Sequence, residues 1–334
     1  MANPGETATT QTNPLTAPQS QIMSTSTTPK SNPQAELIAS LTNPLRPFAK
    51  YKLRSYQTAH TAHLPLLQHH HQNHYQRPTV VLLGDSMFER MTTTGASPNL
   101  VAPWPSAAML PDDQLPPGME RLEGVFNAGV GGDRIQNVAF RLVGHGHGVG
   151  LTQSSDPEAR AGSAGVEVTD NGDGEVGEER EELTGLMQAL VDCGAAVKLW
   201  VVQMGTNNLT VKKGLVDKDV EAMKVLLRGL LAFPLTGMEE GRESMVLVTG
   251  LFYRRDVSRA LVDEANKKLV VMVKELNEEV QREGVVFLPA TEKVKTEEHL
   301  VDHVHLSLEG YQLWVRELFP AVVSLLEKVG GDPA

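Results

Sequence analysis

The sequence predicts an α/β protein, with five parallel strands in a three-layer α/β/α domain that spans residues 78–330. Short apolar runs alternate with longer stretches in which apolar residues recur at helical spacing. Strands that alternate with helices form parallel sheets through right-handed crossovers. Three of the apolar runs end in glycine and small polar residues. We therefore expect these residues together at the carboxyl edge of the sheet, where open α/β sheets bind ligands.

The elements follow in order along the chain. The predicted strands cover 79–83, a run ending near 126, 197–203, 245–249 and 285–288. The predicted helices cover a stretch from about 87, then 134–142, 179–192, 215–232, 256–282 and 307–328. Pro320 lies inside the last helix, and we expect it to kink or split that helix, because proline lacks the backbone N–H.

The first 77 residues are predicted to lie outside this domain. Residues 1–45 are rich in Thr, Ser, Pro, Gln and Asn, which predicts a disordered tail in which Leu37 to Leu41 could form a short helix. Residues 48–77 carry a histidine cluster and are interpreted as a solvated linker or a surface helix. His70 and His74 could share one helical face and hold a metal, but no cysteine or nearby carboxylate completes a ligand set. The prediction is therefore a site with no metal and no cofactor.

Two insertions interrupt the predicted domain. Residues 92–120 contain six prolines and cannot form a continuous helix. Residues 144–180 are glycine-rich and then acidic, which is typical of a flexible surface loop. A loop as long as 92–120 is more often functional or mobile than without a role.

Composition and charge exclude several classes of protein. The net charge of −11 provides no basic field, so we expect no nucleic-acid partner. The one cysteine, Cys193, excludes an internal disulfide. No apolar stretch is long enough to span a membrane and no secretory pattern opens the chain, so we expect no stable membrane insertion and a cytoplasmic location. A homodimer is one open alternative.

The stretch TVVLLGDSMFER places Ser86 directly after a buried strand. A serine at this edge could be a nucleophile, or it could simply cap a helix. A hydroxyl nucleophile needs a base, and His305 can supply it. Asp302, three residues earlier, can fix the histidine tautomer and stabilise the imidazolium.

An oxyanion would need hydrogen-bond donors near this serine. The candidates are the N–H groups of Gly132 and Ser86 and the side-chain amide of Asn207. Three neighbours are predicted to support the site. Asp85 would satisfy backbone N–H groups of the turn, and Asn127 and Asp133 would brace the glycine-rich loop.

These blocks resemble the SGNH hydrolases, also called GDSL-type esterases. The blocks are GDS at 84–86, NAGVGGD at 127–133, GTNN at 205–208 and DHVH at 302–305. The resemblance implies a flavodoxin-like fold, no metal, no nucleotide, and catalytic roles for Ser86, Gly132, Asn207 and His305. It also implies that Asp302 partners His305 rather than His303. Within the family, NAGVGGD, GTNN and HLSLEGY look most like the catalytic α-subunits of intracellular platelet-activating-factor acetylhydrolase.

The resulting hypothesis is a serine esterase that releases acetyl or another short acyl group from a lipid or carbohydrate ester. One alternative is a thioesterase or lysophospholipase with the same residues. Another is a catalytically idle scaffold or binding module. Trp104, Phe252 and Tyr253 could line the acyl pocket or pack elsewhere, and the sequence leaves both alternatives open.

Overall fold

The computed structural model describes residues 33–73, 77–98, 100, 103–145, 183–235 and 243–330. Its centre is a parallel sheet of five strands in the order β2-β1-β5-β6-β7. The strands are β1 (Val80–Gly84), β2 (Val125–Gly129), β5 (Leu199–Gln203), β6 (Met245–Thr249) and β7 (Val285–Leu288). A short antiparallel pair, β3 (Gly144–His145) and β4 (Leu183–Thr184), lies apart from the sheet. The predicted fold class is confirmed.

Ten α-helices lie in the described residues. They are α1 (Pro33–Thr42), α2 (Leu53–Thr58), α3 (Leu64–Asn73), α4 (Ser86–Glu89), α5 (Ile135–Val143), α6 (Leu186–Asp192), α7 (Asp217–Leu231), α8 (Arg259–Val280), α9 (Thr296–His299) and α10 (Leu308–Lys328). A π-helical turn, Ala59–His63, joins α2 to α3. None of these helices is both long enough and apolar enough to cross a membrane.

Alternate side chains of each strand enter two different cores, which makes the three layers. Val81 and Leu83 of β1 pack with α1, α3 and α5–α8 on one face of the sheet. Val80 and Leu82 pack with α4 and α10 on the other face. Both faces are therefore covered, which explains why the strands are continuous apolar runs.

Strand β1 lies between β2 and β5, and its register brings three loops together. Gly84 pairs with Gly129 on one side and with Gln203 on the other. A side chain at Gly84 would meet the Gln203 carbonyl oxygen at 2.0 Å, so only glycine fits there. The residues that follow β1, β2 and β5 consequently share one edge of the sheet.

The prediction of a disordered tail is wrong for residues 33–45, and of the two alternatives for the histidine-containing segment the helix, rather than a solvated linker, is found over residues 53–73. These residues are largely helical, and Leu41, Leu45 and Leu67 are buried in the core formed with α5–α8. The physical reason is the apolar stripe Ile38, Leu41 and Leu45, whose helical spacing lets a mostly polar stretch bury one face. Residues 1–32 lie outside the described part of the chain.

The histidine cluster also differs from the prediction. His63 is buried against Phe126, with ring centroids 5.7 Å apart, and burial lowers its pKa to about 3. The side chains of His70 and His71, and the whole of His74, lie outside the described residues. Among the residues described, no three His, Cys, Asp or Glu side chains cluster in a way that could hold a metal.

The two predicted insertions have different outcomes. The stretch 92–120 is packed where it is described: Trp104 contacts Phe319 of α10, and Met109 and Leu110 are buried. Within 144–180, only residues 144 and 145 lie in the described part of the chain.

The structure also gives the extent of three helices that the sequence predicts. Helix α4 has a single turn, α6 begins at Leu186 rather than near 179, and Pro320 does not split α10.

Candidate active site

Ser86 is the first residue of α4 and lies immediately beyond β1. Asp85 is the N-cap, and its Oδ1 accepts a hydrogen bond from the Met87 N–H at 3.0 Å. This cap turns the chain sharply from strand into helix. Ser86 is 6% exposed, so the turn places the hydroxyl at the edge of the sheet with little contact with solvent.

A tight turn before α10 carries the other two candidate residues. Asp302 Oδ1 accepts from the N–H groups of Val304 and His305, at 2.8 and 2.7 Å. A β-bridge between Leu300 and Leu306 closes the turn at its base. The local fold thus fixes the Asp302 carboxylate and directs its second oxygen, Oδ2, toward the His305 ring.

The structure brings Ser86, His305 and Asp302 into one hydrogen-bonded row. His305 Nε2 lies 2.9 Å from Ser86 Oγ, although 219 positions separate the two residues. His305 Nδ1 lies 2.7 Å from Asp302 Oδ2. This geometry fixes a proton on Nδ1 and leaves Nε2 able to accept the proton of the serine hydroxyl.

The charges around this row favour an ionised carboxylate and a neutral imidazole. Partial burial raises the pKa of Asp302, but hydrogen bonds from the His305 N–H, the His305 ring and the Val304 N–H hold it well below its ordinary value. Burial lowers the pKa of His305 and outweighs the attraction of Asp302, and the nearby Arg90 lowers it further. A neutral base is what proton abstraction from a hydroxyl requires.

His303 takes no part in this row. Its Nε2 lies 3.9 Å from Asp256 Oδ2, and its ring is more than half exposed. Of the two histidines, His305 is therefore the one that contacts Ser86.

The loop after β2 carries the candidate oxyanion donor. Gly132 has a φ of +72°, a conformation that favours glycine. Within the described residues, neither the N–H of Gly132 nor that of Ser86 makes a hydrogen bond. The Asn207 amide donates one N–H to the Asp133 carbonyl at 3.0 Å, which ties the loop after β5 to the loop after β2.

The predicted supporting residues lie beneath these loops. Asn127 donates to the Phe88 carbonyl at 2.7 Å and accepts from the Gly129 N–H at 2.9 Å, which joins α4 to the end of β2. Asp133 pairs with the fully buried Arg141 at 2.8 Å. Arg141 in turn donates to carbonyls at the ends of β1 and β2.

Asp85 is a buried acid beside the nucleophile candidate. It is fully buried, and within the described residues its Oδ2 has no hydrogen-bond partner. Burial raises its pKa from 3.8 to about 7, although the hydrogen bond from the Met87 N–H opposes that shift.

Four residues at the site were missed by sequence reasoning. Arg90 lies 3.5 Å from Asp302, and Tyr311 of α10 donates to the Met87 carbonyl at 2.9 Å. Ser55 donates to Asp133, and Lys52 donates to the Gly131 carbonyl. No local motif marks Lys52 or Ser55. For Tyr311 the signal was its place in HLSLEGY, and Lys52 and Ser55 lie in a segment predicted to be a linker.

The aromatic residues proposed for the acyl pocket have other roles where the structure describes them. Trp104 packs on Phe319, and Phe252 packs edge-on against Trp314, with ring centroids 5.2 Å apart. Both are buried in the core. Tyr253 is only partly buried, and its hydroxyl donates to Asp263 at 2.6 Å.

The sequence matches the model of the GDSL-like lipase/acylhydrolase family over residues 80–318. The chain therefore belongs to that family, and the protein is a hydrolase of ester bonds. The family match does not distinguish subgroups, so the resemblance to the platelet-activating-factor acetylhydrolase subunits stays a prediction. A comparison with curated protein sequences found no match.

Several solved structures are similar to this chain. A carbohydrate acetylesterase family member from Sinorhizobium meliloti is 15% identical, with 75% of this chain and 99% of that chain covered and a TM-score of 0.40. A carbohydrate esterase family 3 protein from Talaromyces cellulolyticus is 14% identical, with 75% and 99% covered and a TM-score of 0.40. An acetyl esterase mutant with acetate ion is 15% identical, with 76% and 100% covered and a TM-score of 0.42.

Proposed function

We propose that this protein is a serine esterase in which Ser86 is the nucleophile, His305 the general base and Asp302 the residue that orients His305. The observation that carries the proposal is the hydrogen-bonded row of these three side chains, with contacts of 2.9 and 2.7 Å. A helix-capping serine would need no imidazole, and the cap of α4 is supplied by Asp85.

The first half-reaction forms an acyl-enzyme. Ser86 Oγ attacks the ester carbonyl carbon while its proton passes to His305 Nε2. The ionised Asp302 stabilises the imidazolium that results. When the tetrahedral intermediate collapses, the bond to the leaving oxygen breaks, and His305 returns the proton to the departing alcohol.

The second half-reaction releases the acid. A water molecule replaces the alcohol, His305 takes one of its protons, and the water oxygen attacks the acyl carbon. Collapse of the second intermediate restores the Ser86 hydroxyl, with its proton returned by His305.

The negative oxygen of both intermediates needs donors that are already in place. We assign this role to the N–H groups of Gly132 and Ser86 and to the Asn207 amide N–H that is not used by Asp133. Loss of one such donor typically reduces kcat by roughly 10²- to 10³-fold.

We propose that the substrate is a small-molecule ester with a short acyl group, acetyl first, on a lipid or carbohydrate. The acyl length rests on the resemblance of NAGVGGD, GTNN and HLSLEGY to acetylhydrolase subunits.

The experiment is a panel of p-nitrophenyl esters from acetate to long chains, run on the protein and on Ser86→Ala. We expect the highest kcat/KM with acetate and no turnover above background for the variant. A clear preference for long chains would overturn the acetyl assignment, whereas full activity of Ser86→Ala would overturn the nucleophile.

A further inference from the structure

A segment that precedes the family-matched region docks on the candidate oxyanion loop. The Lys50 N–H donates to the Gln136 carbonyl, and the Asn137 amide donates to the Lys50 carbonyl, both at 3.0 Å. Ser55 of α2 donates to Asp133 Oδ1 at 2.5 Å. Residues 50–55 are therefore held against the loop 131–133 from both ends. They lie outside residues 80–318, over which the family model matches.

Lys52 lies between these two anchors and reaches the loop with its ammonium group. Its Nζ donates to the Gly131 carbonyl at 3.0 Å and lies 3.6 Å from Asp133 Oδ1. A Cβ built on Gly132 would stand 2.8 Å from the same nitrogen. The side chain is 26% exposed, so solvent screens this charge only in part.

The hydrogen bond from Lys52 acts on one particular peptide group. The carbonyl of Gly131 and the N–H of Gly132 belong to the same planar amide and point in opposite directions. A cation on the carbonyl oxygen draws electron density from the nitrogen, which makes the N–H a stronger donor, and it also fixes the plane of the peptide.

We propose that Lys52 is a positioning residue that orients and polarises the 131–132 peptide, so that the Gly132 N–H can stabilise the oxyanion. The inference rests on the proposed function, because it gives Gly132 its role only if Ser86 attacks an ester. It adds to the family's site a residue from the N-terminal segment.

The competing explanation is that Lys52 only neutralises the buried Asp133. That carboxylate already pairs with Arg141 at 2.8 Å and accepts from Ser55. The contact from Lys52 to Asp133 is also longer than its contact to the Gly131 oxygen. The geometry therefore makes the peptide oxygen the main partner of Lys52.

The expected effect follows from the charge and its distance. Peptide geometry and one hydrogen bond place the ammonium roughly 8 Å from the oxyanion. At an effective dielectric constant of about 20, two unit charges at that distance change a rate by roughly thirtyfold. Partial exposure reduces this figure, so we expect kcat to fall by roughly ten- to thirtyfold when the charge is removed.

The experiment compares Lys52→Met, Lys52→Gln and Lys52→Arg in the full chain. Lys50→Met is the matched control, because its side chain is exposed and the hydrogen bonds to Gln136 and Asn137 involve its backbone. We expect kcat for p-nitrophenyl acetate to fall in Lys52→Met with little change in KM. Lys52→Gln should be intermediate, and Lys52→Arg should stay within about threefold of the parent because it keeps a charged donor.

Two further measurements separate this role from a purely structural one. The rate of Ser86 phosphonylation by a fluorophosphonate should fall by the same factor as kcat, because its reaction also places charge in the oxyanion site. Burial lowers the pKa of Lys52, with Asp133, Arg54 and Arg141 as the charged groups that face it. The parent should therefore lose activity on the alkaline side, and Lys52→Arg should not.

Unchanged kcat and phosphonylation in Lys52→Met, with Ser86 still labelled, would overturn the inference and leave the proposed function intact. Should Lys52→Met fail to fold, the alkaline profiles of the parent and Lys52→Arg decide, and identical profiles would contradict the role. Failure of the parent to label at Ser86 would instead overturn the proposed function.

Discussion

Replacing Asp85 should change how the free energy of unfolding depends on pH. Asp85 is a fully buried carboxyl group, and one of its oxygens has no hydrogen-bond partner in the described residues. The perturbation is Asp85→Asn. Asparagine keeps an oxygen that can accept from the Met87 N–H, so the turn into α4 is preserved. It has no charge, so the pH-dependent cost of burying a carboxylate disappears.

The magnitude follows from the pKa, which burial raises from 3.8 to about 7. A folded-state pKa above the unfolded value means that the stabilising contribution of the neutral acid is complete below the unfolded pKa. It is lost as the pH rises through the folded pKa. At 1.36 kcal/mol per pH unit, the full loss is about 4 kcal/mol, and about 2.5 kcal/mol of it falls between pH 5 and pH 8.

The assay is urea unfolding of the parent and Asp85→Asn at several values of pH between 5 and 8. Other titratable groups are common to both proteins, so the difference in unfolding free energy isolates Asp85. We expect the variant to gain stability relative to the parent as the pH rises. The exposed Asp113→Asn is the control and should show no such trend. A parent–variant difference that does not change with pH would refute the reasoning.

Two predictions concern the row of side chains at the site. Asp302→Asn keeps an acceptor for the turn but directs an N–H at His305 Nδ1, which imposes the wrong tautomer, so kcat should fall by roughly 10³-fold or more. Glu298→Gln, an exposed change of the same kind, is its control. Arg90→Gln removes a cation that lowers the pKa of His305. The acidic limb of kcat/KM should therefore move to higher pH.

Each of these two predictions has a result that would contradict it. A fall of less than tenfold in Asp302→Asn would contradict the role of the carboxylate. An acidic limb that stays in place, or moves to lower pH, in Arg90→Gln would contradict the electrostatic influence of that arginine on His305. Steady-state kinetics with p-nitrophenyl acetate from pH 5 to 8 measures both.

The sheet could be predicted because four of its strands are fully buried and the fifth, β7, is partly buried. Runs such as 245–249 and 285–288 have apolar residues at nearly every position, and they end where the observed strands end. The contact of Ser86 with His305 could be anticipated because a serine nucleophile needs a base and because the blocks GDS and DHVH resemble those of one family. The two residues are 219 positions apart, so no local sequence pattern shows that they are in contact.

The N-terminal helices could not be predicted by composition alone. Polar residues dominate the region, and the apolar stripe Ile38, Leu41 and Leu45 is short, although its helical spacing was a usable signal. Lys52 carries no local signal. Its partner, the Gly131 carbonyl, is 79 positions away and is determined only by the way α2 docks on α5.

Asn208 shows a further limit. In the sequence it is only the last residue of the GTNN block at 205–208. In the structure its Oδ1 accepts from the Ile135 N–H at 3.1 Å, and its amide donates to Gln136. Asn208 thus provides hydrogen-bond partners for the first turn of α5 from another loop. This role depends on the tertiary fold and has no signature in the sequence.

The central claim is that Ser86 becomes acylated during turnover. Rapid acid quenching of the protein with p-nitrophenyl acetate, followed by peptide mass spectrometry, tests it directly. We expect an acetyl group on the peptide that contains Ser86, at the side chain of that residue, and none in Ser86→Ala. Steady turnover with no acyl group on Ser86, or with acetylation and activity retained in Ser86→Ala, would contradict it.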